Sequence, residues 1–212
     1  MNAGLSNFDT LKKHLLAGST AKTDTRFDTA IQAIGLGTAA AIENFCQRKF
    51  FRSGADTQII GADRCQFLLS RFPLETVTAV DLKLSEADGW EPVDLADIQT
   101  IDLKNGIVYF PDTADLGPYY GQVRITFAGG YWWETAEPDD DSYPTAPPAG
   151  SNALPSDLQL AWLMQCEVIW SKRDKLGSGL VDDPDAKSKI STLELSPLVK
   201  QMLGQFVRYN LV

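Results

Sequence analysis

The order of periodicities along the chain constrains its fold more than any single motif does. Near the N-terminus, Phe8, Leu11 and Leu15 recur at helical spacing and share one face. The middle of the chain instead alternates with a period of two, and helical spacing returns from Ser156, with Trp162 on the apolar face. This order predicts an α+β fold. Both chain ends form a helical bundle, and an antiparallel β block of about six strands is inserted between them.

Turn residues divide the middle of the chain into short strands. Asn105-Gly106 is a strong hairpin signal, because both residues tolerate positive φ, and it separates the alternating runs 98–103 and 107–110. The runs 76–84 and 122–127 also alternate. Because the connections between these runs are short, we expect antiparallel pairing.

Composition and periodicity divide the chain into four segments. Residues 1–54 predict an N-terminal helical hairpin, and residues 55–133 predict the antiparallel β block. Residues 134–155 are acidic and rich in proline, which disfavours both helix and strand ladder and predicts a loop. We expect this loop to order when a partner binds. Residues 156–212 predict the C-terminal helices and tail that complete the bundle.

The charge balance excludes one class of function. The chain has 19 basic and 28 acidic residues and a formal net charge of −9, with 44% hydrophobic and 22% charged residues. These fractions are those of a globular protein. The acidic balance argues against sequence-independent DNA binding, which needs clustered Lys and Arg. We interpret the short basic runs, such as Arg48-Lys49 with Arg52, as solvated helix ends.

No cofactor, metal site or membrane span is expected. Cys46, Cys65 and Cys166 are widely spaced, without the close ligand pairs of a metal site, so we interpret them as reduced thiols. The N-terminus lacks the basic and apolar regions of a signal peptide. No apolar run approaches the roughly 20 residues of a transmembrane helix.

Catalytic residues are not evident, so we expect no enzyme. The single histidine, His14, lies on the first helix with no inferable orienting partner, and we interpret it as a surface residue. The acidic runs 139–141 and 182–185 lack the spacing of a calcium loop. Gly35 and Gly37 lie within a helical pattern rather than after a strand, so they form no phosphate loop. A hydrolase that uses unrecognised paired carboxylates stays open as a rival, because carboxylate separation is a spatial quantity.

Two segments are candidates for partner binding. Tyr131, Trp132 and Trp133 form an aromatic cluster. The cluster could stack on sugars or on single-stranded nucleic acid, cover one end of the sheet, or contact a neighbouring subunit. An aromatic carbohydrate-binding module is therefore one alternative function. The second segment is the apolar C-terminal tail, with Arg208, Tyr209, Leu211 and Val212. It could pack on its own bundle or dock on a partner, since Arg and Tyr are enriched at interface hot spots.

An ordered set of segments resembles the head–tail connector (adaptor) proteins of tailed bacteriophages. The resemblance covers most of residues 5 to 207 and combines a helix ending in an aromatic, a proline-led strand block, two further strands and a return to helix. Its segments are Ile42–Phe50, Leu69 with Pro73–Val80, Gly106–Phe110, Val123–Tyr131 and Leu154–Ala161.

The resemblance implies a structural protein of the virion neck, made in the cytoplasm of a bacterial host. Such proteins form a homo-oligomeric ring, commonly a dodecamer, between the portal protein and a tail-side stopper or tail-completion protein. The ring extends the DNA channel, and the genome passes without specific binding. The resemblance also implies that the C-terminal tail reaches the portal, where Arg208 and Tyr209 would be the anchors because Arg and Tyr are enriched at interface hot spots. A tail-completion or stopper protein of the same virion is the alternative role.

Overall fold

Helices bracket a block of strands in the computed structural model, which describes residues 4–16, 25–61, 65–98, 100–110, 121–134, 146–178 and 194–208. The α+β class and the insertion of a mainly antiparallel β block between helical ends are therefore confirmed. The elements in chain order are α1 (Phe8–Leu15), α2 (Asp28–Cys46), β1 (Ser53–Gly61), β2 (Gln66–Leu68), β3 (Leu74–Lys83), β4 (Glu91–Val93), β5 (Thr100–Asp102), β6 (Ile107–Tyr109), β7 (Gln122–Gly129), β8 (Tyr131–Trp132), β9 (Asn152–Ala153), α3 (Ser156–Ser178) and α4 (Pro197–Leu203), with 3₁₀ helices at Leu95–Asp97 and Gly204–Phe206.

Contacts divide the chain into two compact units. The helical unit comprises Met1–Gln47, Trp133–Pro147 and Leu154–Val212, and the β unit comprises Arg48–Trp132 and Pro148–Ala153. Both ends of the chain thus contribute to one unit, as the helical periodicity at each end predicts. The acidic runs 139–141 and 182–185 lie outside the described residues.

An ion pair and a helix cap fix the first two helices. Asn7 caps α1, because its side-chain oxygen accepts a hydrogen bond from the Thr10 N–H at 2.8 Å. The Lys12 Nζ lies 2.6 Å from Asp28 Oδ1 at the start of α2, and the Lys12 side chain is only 7% exposed. A buried lysine is costly unless it is paired, so this contact ties α1 to α2.

Helices α2 and α3 approach closely at Gly35. The indole N–H of Trp162 on α3 donates to the Gly35 carbonyl at 2.9 Å, and Trp162 is fully buried. Gly4 lies against the same carbonyl at φ +118°, where a Cβ would come within 2.6 Å of it. The chain can therefore pass this point only with a glycine at position 4.

Two antiparallel sheets build the β unit. Their strand orders are β1-β7-β3-β4 and β2-β6-β5. The predicted Asn105-Gly106 turn joins β5 to β6, with Gly106 at φ +68°. Both sheets contribute to one hydrophobic core, whose buried members are Phe67, Leu69, Leu74, Val77, Val80, Val108, Phe110, Val123, Ile125 and Phe127.

Side-chain and backbone hydrogen bonds join the two sheets. The Leu74 N–H at the start of β3 donates to the Leu103 carbonyl at 2.6 Å. On the other side, the Gln58 amide of β1 accepts from the Ser70 N–H at 2.7 Å and donates to the Leu68 carbonyl at 3.3 Å. These contacts occupy backbone groups at the edge of the sheets, where they would otherwise be open to pairing with another chain.

A short parallel pair differs from the sequence prediction. Asn152 and Ala153 pair with Tyr131 and Trp132 as two parallel strands, although residues 134–155 predict no strand ladder. The described part of that segment is therefore not entirely a loop. Two residues are too few to show alternation, and the pairing is non-local, so periodicity does not detect it.

Candidate partner-binding site

The C-terminal segment is positioned by a buried glutamine on α3. Gln165 is 1% exposed, its amide N–H donates to the Glu194 carbonyl at 3.2 Å, and its Oε1 accepts from the Ser196 N–H at 3.0 Å. Ser196 in turn caps α4 through the Val199 N–H. The sequence pattern places Gln165 on the apolar face of α3. A polar residue is accommodated at this buried position because its amide makes both of these hydrogen bonds.

Arg208 lies at the end of this segment, and a backbone hydrogen bond holds it in place. The Arg208 N–H donates to the Cys46 carbonyl at 2.9 Å, at the last residue of α2. The Nε of Arg208 is buried and has no hydrogen-bond partner among the described residues. Burial lowers the pKa of this guanidinium. A buried donor without an acceptor destabilises a protein by about 1–3 kcal/mol.

The other tail residues of the predicted site cannot be placed with Arg208. Tyr209, Leu211 and Val212 lie outside the described residues. Their proposed role in partner binding stays a prediction.

Tyr131 belongs to a cation–aromatic cluster within the β unit. Its ring stacks on Phe50 with centroids 6.3 Å apart and planes 20° apart. The Arg48 guanidinium lies 3.4 Å from the Phe72 ring centroid, 4.8 Å from that of Phe50 and 5.5 Å from that of Tyr131, and it donates to the Phe72 carbonyl. Arg48 is only 6% exposed. The cluster therefore stabilises the β unit from within.

From the sequence we interpret the basic run near Arg48 as a solvated helix end, and the structure shows that this interpretation is wrong for Arg48 and Arg52. Arg48 is buried among aromatic rings, and Arg52 forms a two-pronged ion pair with Glu75 at 2.7 and 2.8 Å. The Arg52 and Glu75 side chains are 11% and 9% exposed. Planar guanidinium groups both stack on rings and bind carboxylates with two hydrogen bonds, which explains why arginine serves at these two positions.

The other two aromatic residues of the sequence cluster differ in exposure. Trp132 is half-buried in β8, whereas Trp133 is buried with 7% of its surface exposed. Stacking on a sugar needs an open ring face, so the burial of Trp133 disfavours a carbohydrate-binding module that uses both tryptophans. Partner binding by Tyr131, Trp132 and Trp133 stays a prediction.

The described residues contain no group of three His, Cys, Asp or Glu side chains that could hold a metal ion. His14 is exposed, as the sequence predicts, and its Nε2 lies 3.5 Å from the exposed Glu167 carboxylate. Burial raises the pKa of the Cys166 thiol to about 12, so this thiol stays protonated at neutral pH and is a poor nucleophile.

None of the helices within the described residues is both long and apolar enough to cross a membrane.

Solved structures share this fold over nearly the whole chain. No family model and no curated protein matches the sequence. A chain of the virion of the native gene transfer agent (GTA) particle matches with a TM-score of 0.60 and 20% identity, covering 97% of this chain and 90% of that one. A chain in the neck of the empty GTA particle, computed with C6 symmetry, gives 0.59 and 20% over the same shares.

A third match comes from the neck of the native GTA particle, computed with C12 symmetry. It has a TM-score of 0.53 and 17% identity, and it covers 96% of this chain and 92% of that one. At these identities the matches establish the fold. The fold that the sequence resemblance implies and the fold of these chains agree.

Proposed function

We propose that this protein is a structural head–tail connector (adaptor) of a tailed phage or phage-like particle. One observation carries the proposal: 97% of the chain shares its fold with a chain of the GTA virion, and similar chains occur in GTA necks. The order of sequence segments points independently to the same family. The protein would act in the virion neck without catalysing a reaction.

The proposed assembly is a homo-oligomeric ring between the portal protein and a tail-side stopper or tail-completion protein. The related neck structures were computed with C6 and C12 symmetry, which supports a dodecamer for this chain. The ring would extend the DNA channel. A net charge of −9 suits passage of the genome without specific binding, because a wall that attracted phosphates would slow the DNA.

A cryo-electron map of purified particles tests the proposal. We expect density for this chain as a ring directly below the portal, and quantitative mass spectrometry should give one copy per ring position. A position further towards the tail would assign the chain to the stopper or tail-completion role instead. Absence of the chain from purified particles would refute both virion roles.

Portal contact is proposed for the C-terminal segment, with Arg208 as its charged residue. Arg208 is half-buried, and its Nε is buried and lacks an acceptor among the described residues; a small shift of the side chain would let a portal carboxylate supply one. In Arg208→Met, therefore, we expect the melting temperature to stay the same or rise, while binding to purified portal weakens at least tenfold. Lys200→Met is the matched control, because its ion pair with Glu194 is exposed and contributes little.

The competing interpretation is that the tail only packs on its own bundle. Arg208→Met would then lower the melting temperature and leave portal binding unchanged for the folded fraction. Deletion of residues 209–212 applies the same comparison to Tyr209, Leu211 and Val212. Normal melting together with normal binding in both variants would remove the C-terminal segment from the proposed interface.

A further inference from the structure

The two antiparallel sheets of the β unit have four edge strands among the described residues, and one of them is long. β2, β4 and β5 have three residues each, whereas β1 has nine. β4 also contains Pro92, and the Gln58 side chain occupies backbone groups beside β2. Short length and proline are usual protections of a sheet edge. β1 has neither between Thr57 and Gly61, a stretch that also carries no charged side chain.

The direction of the β1 backbone groups follows from Pro92. Antiparallel strands alternate between residue pairs that exchange hydrogen bonds and pairs that do not. Pro92 lies opposite Asp81 of β3 and has no N–H, so this pair is not hydrogen-bonded and the backbone groups of Asp81 point to β7. Asp81 lies opposite Arg124 of β7, so the backbone groups of Arg124 point to β3. Ile59 of β1 lies opposite Arg124 on the other side, and its N–H and carbonyl therefore point away from β7.

Thr57 supports this direction independently. Its N–H donates to Asp56 Oδ1 at 3.0 Å, as expected for a group that points away from β7. Thr57 and Gly61 each lie two residues from Ile59 and share its direction. We name the outward backbone groups of Thr57, Ile59 and Gly61 the open edge. Among the described residues no other strand pairs with β1 on this side, and the Ile59 side chain is 55% exposed beside it.

We propose that the open edge binds an extended segment of a different protein of the neck, which adds a strand to the sheet. The inference rests on the proposed function. Neighbouring copies in a cyclic ring contact each other through two different surfaces, so the ring does not pair this edge with the same edge of another copy. The other edge strands that a neighbouring copy offers among the described residues have only three residues each. A different protein therefore supplies the strand.

The open edge specifies the chemistry of the incoming strand. The main-chain groups of that strand would exchange hydrogen bonds with those of Ile59 and Gly61, and one of its side chains would pack beside Ile59. We expect an uncharged segment with a β-branched or aromatic residue at that position, because such residues pair favourably across strands. A charged residue there would lose hydration against an apolar neighbour without gaining an ion pair.

Hydrogen exchange with single-residue resolution gives the first test. In the free full-length chain the Ile59 and Gly61 amides should exchange quickly, whereas the Gln58 and Ile60 amides, which point to β7, should be protected. In purified particles the Ile59 and Gly61 amides should become protected. Slow exchange of these two amides in the free chain would show that the chain covers its own edge. Fast exchange in particles would show that no strand pairs there, and either result would overturn the proposal.

Substitution of Ile59 gives the second test. Ile59→Lys places a charge beside the open edge, which disfavours strand addition. Ile59→Val is the matched control, because it keeps an apolar β-branched side chain. Both variants should keep the parent melting temperature, since the side chain is largely exposed. The yield of tailed particles should fall at least about tenfold with Ile59→Lys and stay at the parent level with Ile59→Val. Equal yields for the two variants would overturn the proposal.

Mass spectrometry of heads made with Ile59→Lys identifies the source of the strand. Loss of this chain from the heads would assign the strand to the portal protein. Heads that keep this chain but lack the tail-side protein would assign the strand to that protein. Self-association of the free parent chain that Ile59→Lys abolishes would assign the edge to a second copy and overturn the proposal.

A cryo-electron map of particles separates this inference from the proposed function. We expect an additional strand along β1 that belongs to another protein. A map with this chain in the neck and no strand along β1 would refute the inference alone. Absence of the chain from particles would refute the neck role and the inference with it.

Discussion

At the scale of single residues, a glycine pair lets two chain segments cross at the end of β7. Gly130 has φ +97°, and a Cβ there would lie 2.7 Å from the Phe51 carbonyl oxygen. At Gly129 a Cβ would come within 2.8 Å of the Pro73 carbonyl. The close backbone passage brings Arg52 to Glu75 on the far strand, where they form their ion pair. Gly129 and Gly130 therefore serve the close packing of backbone segments.

Alanine substitutions separate steric clash from backbone strain at these glycines. Gly130→Ala should lower the free energy of unfolding by about 2–4 kcal/mol, because it adds both an unfavourable φ and a backbone collision. Gly150→Ala meets open space at φ +82° and should cost about 1 kcal/mol from φ alone. Gly89→Ala, in open space without positive φ, should change stability by less than about 0.5 kcal/mol.

Urea unfolding at constant pH measures these differences. We expect the loss in free energy of unfolding to be largest for Gly130→Ala, smaller for Gly150→Ala and smallest for Gly89→Ala. Equal effects at 130 and 150 would show that the Phe51 carbonyl moves aside at little cost.

At the scale of elements, an indole hydrogen bond connects α2 and α3, the two longest helices among the described residues. Trp162 is fully buried and donates to the Gly35 carbonyl, which lies inside α2. A helix-interior carbonyl already accepts its own helical bond, and its second lone pair receives the indole. The bond therefore ties the position of α2 to that of Trp162 on α3.

Replacement of Trp162 by Phe tests the connection. The variant loses the indole donor and some buried volume, so we expect the free energy of unfolding to fall by about 2–4 kcal/mol. Leu160→Ala on the exposed face of α3, where Leu160 is 49% exposed, is the control and should change it by less than about 1 kcal/mol. Chemical denaturation with tryptophan-independent circular dichroism measures both. A loss below 1 kcal/mol in Trp162→Phe would contradict a structural role for this bond.

The periodicity of the sequence predicts the helices and strands of this chain, but it does not predict the polar contacts between them. The helices and the strands β3 and β7 follow from spacings of 3.6 and 2, because burial of one face is a local property of the sequence. The parallel pairing of β8 with β9 has no such signal, since each strand has two residues. The hairpin at Asn105-Gly106 was predictable because its turn chemistry is local.

Buried charges mark the limit of the sequence prediction for the candidate site. A sequence pattern places arginine at the surface by default, whereas Arg48 lies among three rings and Arg52 pairs with Glu75. Except for Phe50, those partners lie more than 20 positions away in sequence, so only the fold reveals them.

At the scale of the whole molecule, the boundaries of the β unit differ from those that composition suggests. The predicted block is 55–133, whereas the compact unit also includes Arg48 to Gly54 and Pro148–Ala153. The additional residues contain Phe50, which is fully buried, and Arg52 with its buried ion pair. The buried members of the hydrophobic core that the two sheets of the β unit share lie between Phe67 and Phe127. Independent folding of this unit is therefore a testable consequence.

Two fragments decide which boundaries define a folding unit. Fragment 48–153 should unfold cooperatively, because it keeps the core, the Arg48 cluster and the β8–β9 pair. Fragment 55–133 loses the Phe50 side chain and the Arg52 partner of Glu75. Losses of about 3–5 kcal/mol are typical of each. Their sum is comparable to the whole stability of a domain, about 5–15 kcal/mol, so this fragment should be largely unfolded at 25 °C. Fragment 48–133, which lacks only β9, should fold with intermediate stability. Thermal unfolding followed by circular dichroism compares the three.

Two outcomes would contradict this expectation. Equal stability of fragments 55–133 and 48–153 would favour the boundaries drawn from composition. A disordered fragment 48–153 would show that the β unit needs the helices in order to fold.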